Sequence, residues 1–517
     1  MAGFHVHQMT REEFGSRAAT SIIVPIFREL LADELTPVSA YRTLAQDESH
    51  SFLLESVEHG ERWSRYSFIG IRPLGLLESR DGQTLFESQD PTLGDLAKSA
   101  SSKGFLDTLE ALMELLATEA HPDLPPLQSG FVGFIGYDVV REIEELSLPN
   151  FDPVGFGDAL MVLIGDIACF DHLAQRLFLI STAVVPSDAS ADGLDDIFDA
   201  ASNRLDELEA RLRKVSVEPL VVSMDSTDVD LANLVTSISS ESFCSAVEVA
   251  REFILAGDIF QVVLSKRFSF DLGCDPLSFY RVLRLKNPSP YMYFLDFPEI
   301  KIAGSSPEPL VKVEGERVIS RPIAGTRPRG QNETEDRFFA SELREHPKEL
   351  AEHIMLVDLA RNDLGRISKF GSEVIDEMMT LEKYSRVMHL TSQISSIRRE
   401  DVSLVDVLRA TMPAGTVSGA PKVRAMEIID DLEPVKRGPY AGVVGYFDLA
   451  GNMDVAIAIR TVFIEPSMRA HLQAGAGIVY DSDPVSEDRE CDNKARALLE
   501  AATIASQSSK AATIGSR

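Results

Sequence analysis

Between Ala159 and Ser181 two apolar runs rich in β-forming residues, LMVLIGDIACF and RLFLIST, flank the polar turn DHLAQ, a pattern that predicts an antiparallel hairpin. The period then changes. Leu194, Ile197, Ala201, Leu205, Leu208 and Leu212 recur at three- and four-residue steps, which predicts an amphipathic helix with a charged outer face. Residues 216–240 are polar, Ser/Asp-rich and aperiodic, and read as a linker or surface connection. Beyond them helical patterns at 243–256, 348–361, 403–411 and 421–432 are mixed with strand patterns at 260–268, 311–319, 443–447, 455–464 and 477–480. Strands and helices do not alternate regularly, which argues against a doubly wound parallel sheet and for an α+β fold with large antiparallel sheets. The polar ends, 1–20 and 505–517, are expected to fray as flexible tails.

Composition narrows the class. A chain of 517 residues with 44% hydrophobic content buries a substantial core and is expected to hold more than one structural unit. Its longest apolar stretch, 159–170, is interrupted by Gly165 and Asp166 and falls short of the roughly 20 residues that span a bilayer. The N-terminal sequence MAGFHVHQMTREEF lacks a basic segment followed by an apolar run, so a cytoplasmic protein is expected. Cys169, Cys244, Cys274 and Cys491 form no CxxC pair and are expected to be reduced and structural. A net charge of −31 disfavours nucleic acid and anionic membrane as partners. Any anionic substrate then requires a local basic pocket.

Few segments stand out chemically. GFVGFIGYD at 130–138 fills the gaps between its glycines with Phe, Val and Ile and has no following GK[ST], so it reads as strand and turn rather than a phosphate loop. GTVSGAPKVRAMEIIDDL, from Gly415, is a Gly/Ser-rich loop opening a helix near Pro421; its N–H groups suit an anion, and a plain glycine turn fits equally well. Glu349 with Glu352, and Glu487 with Glu490, are acidic pairs three residues apart, which on helices place both carboxylates of a pair on one face. Two such pairs brought together suit a hard cation such as Mg²⁺, although among 81 acidic residues most such pairs are solvated surface. His389, alone in the apolar context RVMHLTSQI, reads by itself as a hydrogen-bonded core residue.

The segments AGDIFQVVLSKRF from Ala256, GSSPEPL from Gly304, RPIAGTRPRG from Arg321, HIMLVDLARNDLGR from His353, and the run from MPAGTVSGAPK to SEDRECDNKARA together resemble the chorismate-utilising enzymes. The resemblance covers 241–502 and implies a sandwich of large antiparallel sheets with helices outside, with a catalytic region at 241–504 and an N-terminal region at 21–215. Water-adding members carry a lysine base where this chain has Gln261, and aminodeoxychorismate synthases commonly carry a lysine, in a PIKGT motif, where it has Ala324. LLES at 53–56 and SPYMYF at 289–294 resemble tryptophan-binding elements of anthranilate synthases.

What that resemblance implies is a Mg²⁺-dependent lyase of the anthranilate synthase type. It would take chorismate and ammonia from a separate glutamine amidotransferase subunit, in a heterotetramer, at the first step of tryptophan biosynthesis under feedback inhibition by L-tryptophan. Glu352 and Glu490 correspond to metal ligands, with Glu349 and Glu487 beside them. Lys494 and Arg460 meet the substrate carboxylates, and Gly325, Thr326, Tyr440, Gly475, Ala476 and Gly477 line the pocket. Glu308 becomes the acid for the departing hydroxyl, His389 the residue of the pyruvate-forming step, Thr326 a neighbouring polar group, and Glu349 a candidate base. Leu54, Glu55, Ser56, Pro290, Tyr291 and Met292 would form the inhibitor site. The alternatives are an aminodeoxychorismate synthase component, against which Ala324 argues, and a non-catalytic tryptophan-binding regulatory protein, against which the retained glutamates and His389 argue.

Overall fold

The computed structural model describes residues 7–56, 65–100, 104–147, 149–215, 229–383 and 387–515. Among these, two antiparallel sheets of twelve and eleven strands hold the chain together, as the α+β pattern predicts. Both sheets interleave early and late strands. Ser51–Glu55 pairs with Tyr291–Asp296 in the first sheet, and Gly130–Ile135 pairs with Val443–Asp448 in the second. One apolar cluster runs from Met9 to Ala505 across both sheets and the helices packed on them.

The hairpin expected at 159–181 is present as Asp166–Asp171 paired with Arg176–Val184. The first apolar run is nevertheless cut at Gly165, because its front half, Ala159–Leu163, belongs to the other sheet. A Cβ at Gly165 would meet the Arg72 carbonyl oxygen at 1.9 Å, so only glycine lets the chain cross there. The runs at 311–319 and 455–464 are likewise each two strands. Pro309–Glu314 and Arg317–Ser320 form a hairpin, whereas Met453–Ile457 and Thr461–Ile464 lie in different sheets. Apolar composition alone does not mark such breaks.

The periodic helix is Ala191–Leu212, capped by Ser190, with Ala201, Leu205, Leu208 and Leu212 buried. Each buried leucine contributes about 1.5–3 kcal/mol. At the ends expected to fray, 1–20 and 505–517, described residues form helices. Thr10 and Glu13 form a capping box that starts the helix Arg11–Ala18, and Phe14 is buried in the core. The last helix runs Pro484–Gly515, anchored by buried Ile504 and Ala505. Of the expected linker, residues 216–228 lie outside the described residues, Val235–Thr236 adds to the edge of the first sheet, and a helix begins at Ser240.

Candidate active site and a second cavity

Glu308 and Arg460 both sit where the chain passes from one sheet to the other. Glu308 lies between Lys301–Ser306 and Pro309–Glu314, and Arg460 between Met453–Ile457 and Thr461–Ile464. The two crossings are tied: Ile457 N–H donates to the Glu308 carbonyl at 3.0 Å, Ser306 Oγ donates to the Ile457 carbonyl at 2.7 Å, and Ser305 N–H donates to the Arg460 carbonyl at 3.1 Å. Burial pushes the Glu308 carboxyl up to about 8, against the opposing influence of the Thr416 hydroxyl and Lys494. It is therefore mostly protonated at neutral pH, as an acid catalyst requires.

Arg460 is half-buried, and among the described residues its guanidinium makes no hydrogen bond or ion pair. Burial holds its pKa below the ordinary value, and Tyr440 and Glu490 partly offset this. A partly desolvated cation with no anion of its own is arranged for one that arrives. Tyr440, also buried, keeps its phenolic proton because burial raises its pKa. Lys494 donates to the Gly475 carbonyl at 2.8 Å and pairs with Glu490 at 2.7 Å. The rotation of its helix is fixed from another side, where buried Lys266 binds Asp488 at 2.6 Å and Asp492 at 2.9 Å. Along Arg469–Ile478 the side positions alternate: Gly475 lies against Tyr440 and Gly477 against Gln261, whereas Ala476 packs into a core cluster and offers a ligand only its backbone.

His389 lies opposite Thr326 in the ladder between Val387–Ile397 and Ile323–Pro328, with a bulge between Ala324 and Thr326. The bulge leaves Gly325 at φ 74°, and a Cβ there would meet Leu343 at 2.8 Å and a Glu349 oxygen at 3.1 Å. His389 Nδ1 lies 3.2 Å from the Gly325 carbonyl and 3.0 Å from Thr326 Oγ1. Because the carbonyl only accepts, Nδ1 carries the hydrogen and Nε2 is the basic nitrogen. Burial, assisted by the field of Arg460, lowers the His389 pKa, so it is neutral at pH 7 and suited to take a proton.

A buried ionic scaffold that spacing does not reveal supports these groups. Arg437 grips Glu433 through both carboxylate oxygens at 2.9 and 2.6 Å and donates to the carbonyls of Val417 and Val263. Its guanidinium also lies over the rings of Tyr137 and Tyr440 at 4.8 and 5.7 Å. Arg437 thereby joins the Gly415–Val417 turn, the Gln261–Asp271 strand and Tyr440. No motif in the sequence marks this residue.

The four expected metal carboxylates are not assembled. Among the described residues no group of three or more His, Cys, Asp or Glu is placed to hold a metal ion. Glu349 is paired with Arg327 at 2.9 Å and Glu490 with Lys494. Glu352 and Glu487 stand on separate helices, Pro347–Gly365 and Pro484–Gly515. The donor chemistry suits Mg²⁺, but this arrangement does not form its shell.

A second cavity of about 390 Å³ gathers Leu54, Glu55, Ser56, Pro290, Tyr291 and Met292, the six residues expected to form the inhibitor site. Register explains the meeting, since Glu55 pairs with Met292 and Leu54 with Tyr293. The Glu55 carboxylate accepts from Tyr280 Oη at 2.6 Å and from Arg284 Nε and Nη2 at 3.1 Å each. The cavity is also lined by Lys312, Tyr446 and Asp454, which sequence reasoning missed because they lie far from either motif. Tyr291 Oη donates to Asp454 at 3.0 Å.

The model of the chorismate binding enzymes matches residues 51–500. Anthranilate synthase component 1 of Mycolicibacterium smegmatis is 44% identical over 503 residues, covering 96% of this chain and 94% of that protein. The Pseudomonas aeruginosa protein of the same name is 43% identical, covering 97% and 100%. The crystal structure of anthranilate synthase component I from Streptococcus pneumoniae superposes with a TM-score of 0.72 at 36% identity, covering 91% of this chain and 99% of that one. The menaquinone-specific isochorismate synthase of Escherichia coli, at 18% identity and a TM-score of 0.69, shares the fold. With a family match across most of its length and near full-length relatives above 40% identity, the chain belongs to the chorismate binding enzymes, among proteins of the anthranilate synthase component 1 type.

Proposed function

We propose that this chain converts chorismate and ammonia to anthranilate and pyruvate, acting as the lyase subunit of an anthranilate synthase at the entry to tryptophan biosynthesis. The observation that carries the reading is the juxtaposition of a protonated, buried Glu308 with the cation Lys494, in a site where Arg460 has no anion of its own. Lys494 and Arg460 take the substrate carboxylates, while Tyr440 and the backbone of Gly475–Gly477 donate to them. Glu308 gives its proton to the hydroxyl leaving C4 as ammonia adds at C2. His389 Nε2 then takes the C2 proton as the C3–O bond breaks, the enolpyruvate released takes a proton at its methylene carbon to become pyruvate, and Thr326 and the Gly325 carbonyl orient the ring through Nδ1. Glu349, held by Arg327, is the alternative base.

Gln261 and Ala324 favour this reaction over hydration and over an aminodeoxychorismate product. The names of the relatives as component 1 support a second component, which we take to be a glutamine amidotransferase that supplies ammonia, in a heterotetramer. Mg²⁺ belongs to the proposal as the ion that Glu352 and Glu490, with Glu349 and Glu487, would hold on drawing together, and no step above depends on it. L-tryptophan is proposed as the occupant of the second cavity and as a feedback inhibitor. No described helix is long and apolar enough to cross a membrane, in keeping with cytoplasmic work. The test is to give the purified chain chorismate, Mg²⁺ and excess ammonium and follow anthranilate fluorescence. Production suppressed by tryptophan and by EDTA supports the reading, and untouched chorismate refutes it.

A further inference from the structure

Glu308 lines a second space, a cavity of about 50 Å³ shared with Thr416, Thr411, Arg321, Ala360 and Asp363. A water occupies about 30 Å³ in the liquid, so the cavity holds one or two. Leu310, Leu356 and Leu359 line it too, so the polar groups that can hold a water there are few. Arg321 and Asp363 are already neutralised by Glu382 and Lys422, the latter at 3.0 Å, and the Thr411 hydroxyl donates to the Val407 carbonyl at 2.9 Å. The Thr416 hydroxyl differs: it is buried beside the Glu308 carboxyl, close enough to favour the ionised form of that group, yet the contact is not a well-aligned hydrogen bond and leaves the hydroxyl open to a water. A buried hydroxyl left unsatisfied costs about 1–3 kcal/mol, a cost that one water in this cavity removes.

The inference rests on Glu308 acting as the acid of the proposed reaction. Each turnover then strips Glu308 of its proton: the C4–O bond breaks, the hydroxyl leaves with that proton as water, and a buried carboxylate remains. Glu308 is buried, and its carboxyl must be recharged before the next substrate. We infer that the cavity beside Glu308 holds a short water chain that returns this proton, with the Thr416 hydroxyl as the positioning residue for the water next to the carboxylate. The balance is simple. The nearest water gives one proton to Glu308 and receives one from its neighbour, and bulk solvent supplies the last. No oxidant, metal or other co-reactant is involved. The rival route is recharging through the substrate mouth once product has left, and it makes no use of Thr416.

The two routes separate kinetically. Thr416→Val keeps the shape and removes the hydroxyl, Thr416→Ser restores it, and Ala360→Leu fills the cavity from the helix Pro347–Gly365. With chorismate and ammonium saturating, Thr416→Val and Ala360→Leu are expected to lower kcat about tenfold, a fraction of the 10²–10⁴ that a general acid supplies. The KM for chorismate should stay within about twofold, the solvent deuterium isotope effect on kcat should rise above that of the parent chain, and Thr416→Ser should recover both. Parent-like kcat and isotope effect in both Thr416→Val and Ala360→Leu, or a change confined to KM, overturn the relay alone. A parent chain that leaves chorismate untouched overturns the proposed function and the relay with it.

Discussion

Replacing Glu308 by Gln separates what this carboxyl does for catalysis from what it costs the fold. Burial raises its pKa to about 8 from an ordinary value of 4.5. An acid whose folded pKa is raised destabilises the folded state progressively as pH climbs from the unfolded value to the folded one. At pH 7 this amounts to about 3 kcal/mol, from roughly 2.5 pH units at 1.36 kcal/mol each. Glu308→Gln carries no such charge, so it should be more stable than the parent at pH 7 and no more stable near pH 4. With an unfolding entropy of about 2.1 cal/mol/K per residue, 3 kcal/mol in a chain of 517 residues is a rise in Tm of about 3 °C. Activity should move the other way. The parent kcat, measured with free ammonia held constant, should be level from neutral pH to about pH 8, fall tenfold per unit above it, and fall on the acid side as His389 is protonated. Glu308→Gln should lose 10²–10⁴-fold with no alkaline limb. Calorimetry at pH 4 and 7, beside a pH–rate profile, decides the matter. An unchanged or lowered Tm at pH 7 together with a parent profile flat to pH 10 would refute the reasoning.

Other residues make shorter predictions. His389→Ala should still aminate chorismate but accumulate aminodeoxyisochorismate, visible by chromatography, and normal anthranilate output would reject its role. Arg284→Met leaves the buried Glu55 carboxylate with Tyr280 alone; it should weaken tryptophan inhibition about tenfold while turnover is kept, and an unchanged inhibition constant would remove Glu55 from the effector site. Arg437→Met strands Glu433 in the core and should cost about 3–5 kcal/mol in urea unfolding, with a loss under 1 kcal/mol contradicting the scaffold. Gly325→Ala, at a left-handed position crowded by Leu343 and Glu349, should lower kcat/KM sharply and stability by about 1–2 kcal/mol; a parent-like enzyme would show the bulge to be unimportant.

The periodic helix 191–212 and the hairpin turn at 172–175 were legible because a single local pattern specifies each. The division of apolar runs between sheets was not, since Gly165 and the crossing at Arg460 are dictated by close approach of distant backbone rather than by local composition. The capping box at Thr10 and Glu13 was present in the sequence but hidden in a polar segment with one buried aromatic. At the site, the resemblance named Glu308, His389, Arg460 and Lys494, and the fold supplies reasons for them in burial, tautomer and unmatched charge. Arg437, Lys266 and Thr416 escaped because each acts through partners far away in the chain, where no spacing rule reaches. The acidic pairs show the converse, for their helical spacing was visible while the distance between the two helices that carry them is not set by spacing.

The central claim is that one site both aminates chorismate and expels its enolpyruvyl group. Its most direct test is the molar ratio of pyruvate to anthranilate formed by the purified chain from chorismate and ammonium, with chorismate loss followed in the same samples. The account predicts one pyruvate and one anthranilate for each chorismate consumed. Chorismate lost without pyruvate would contradict it and identify an amination that stops before elimination.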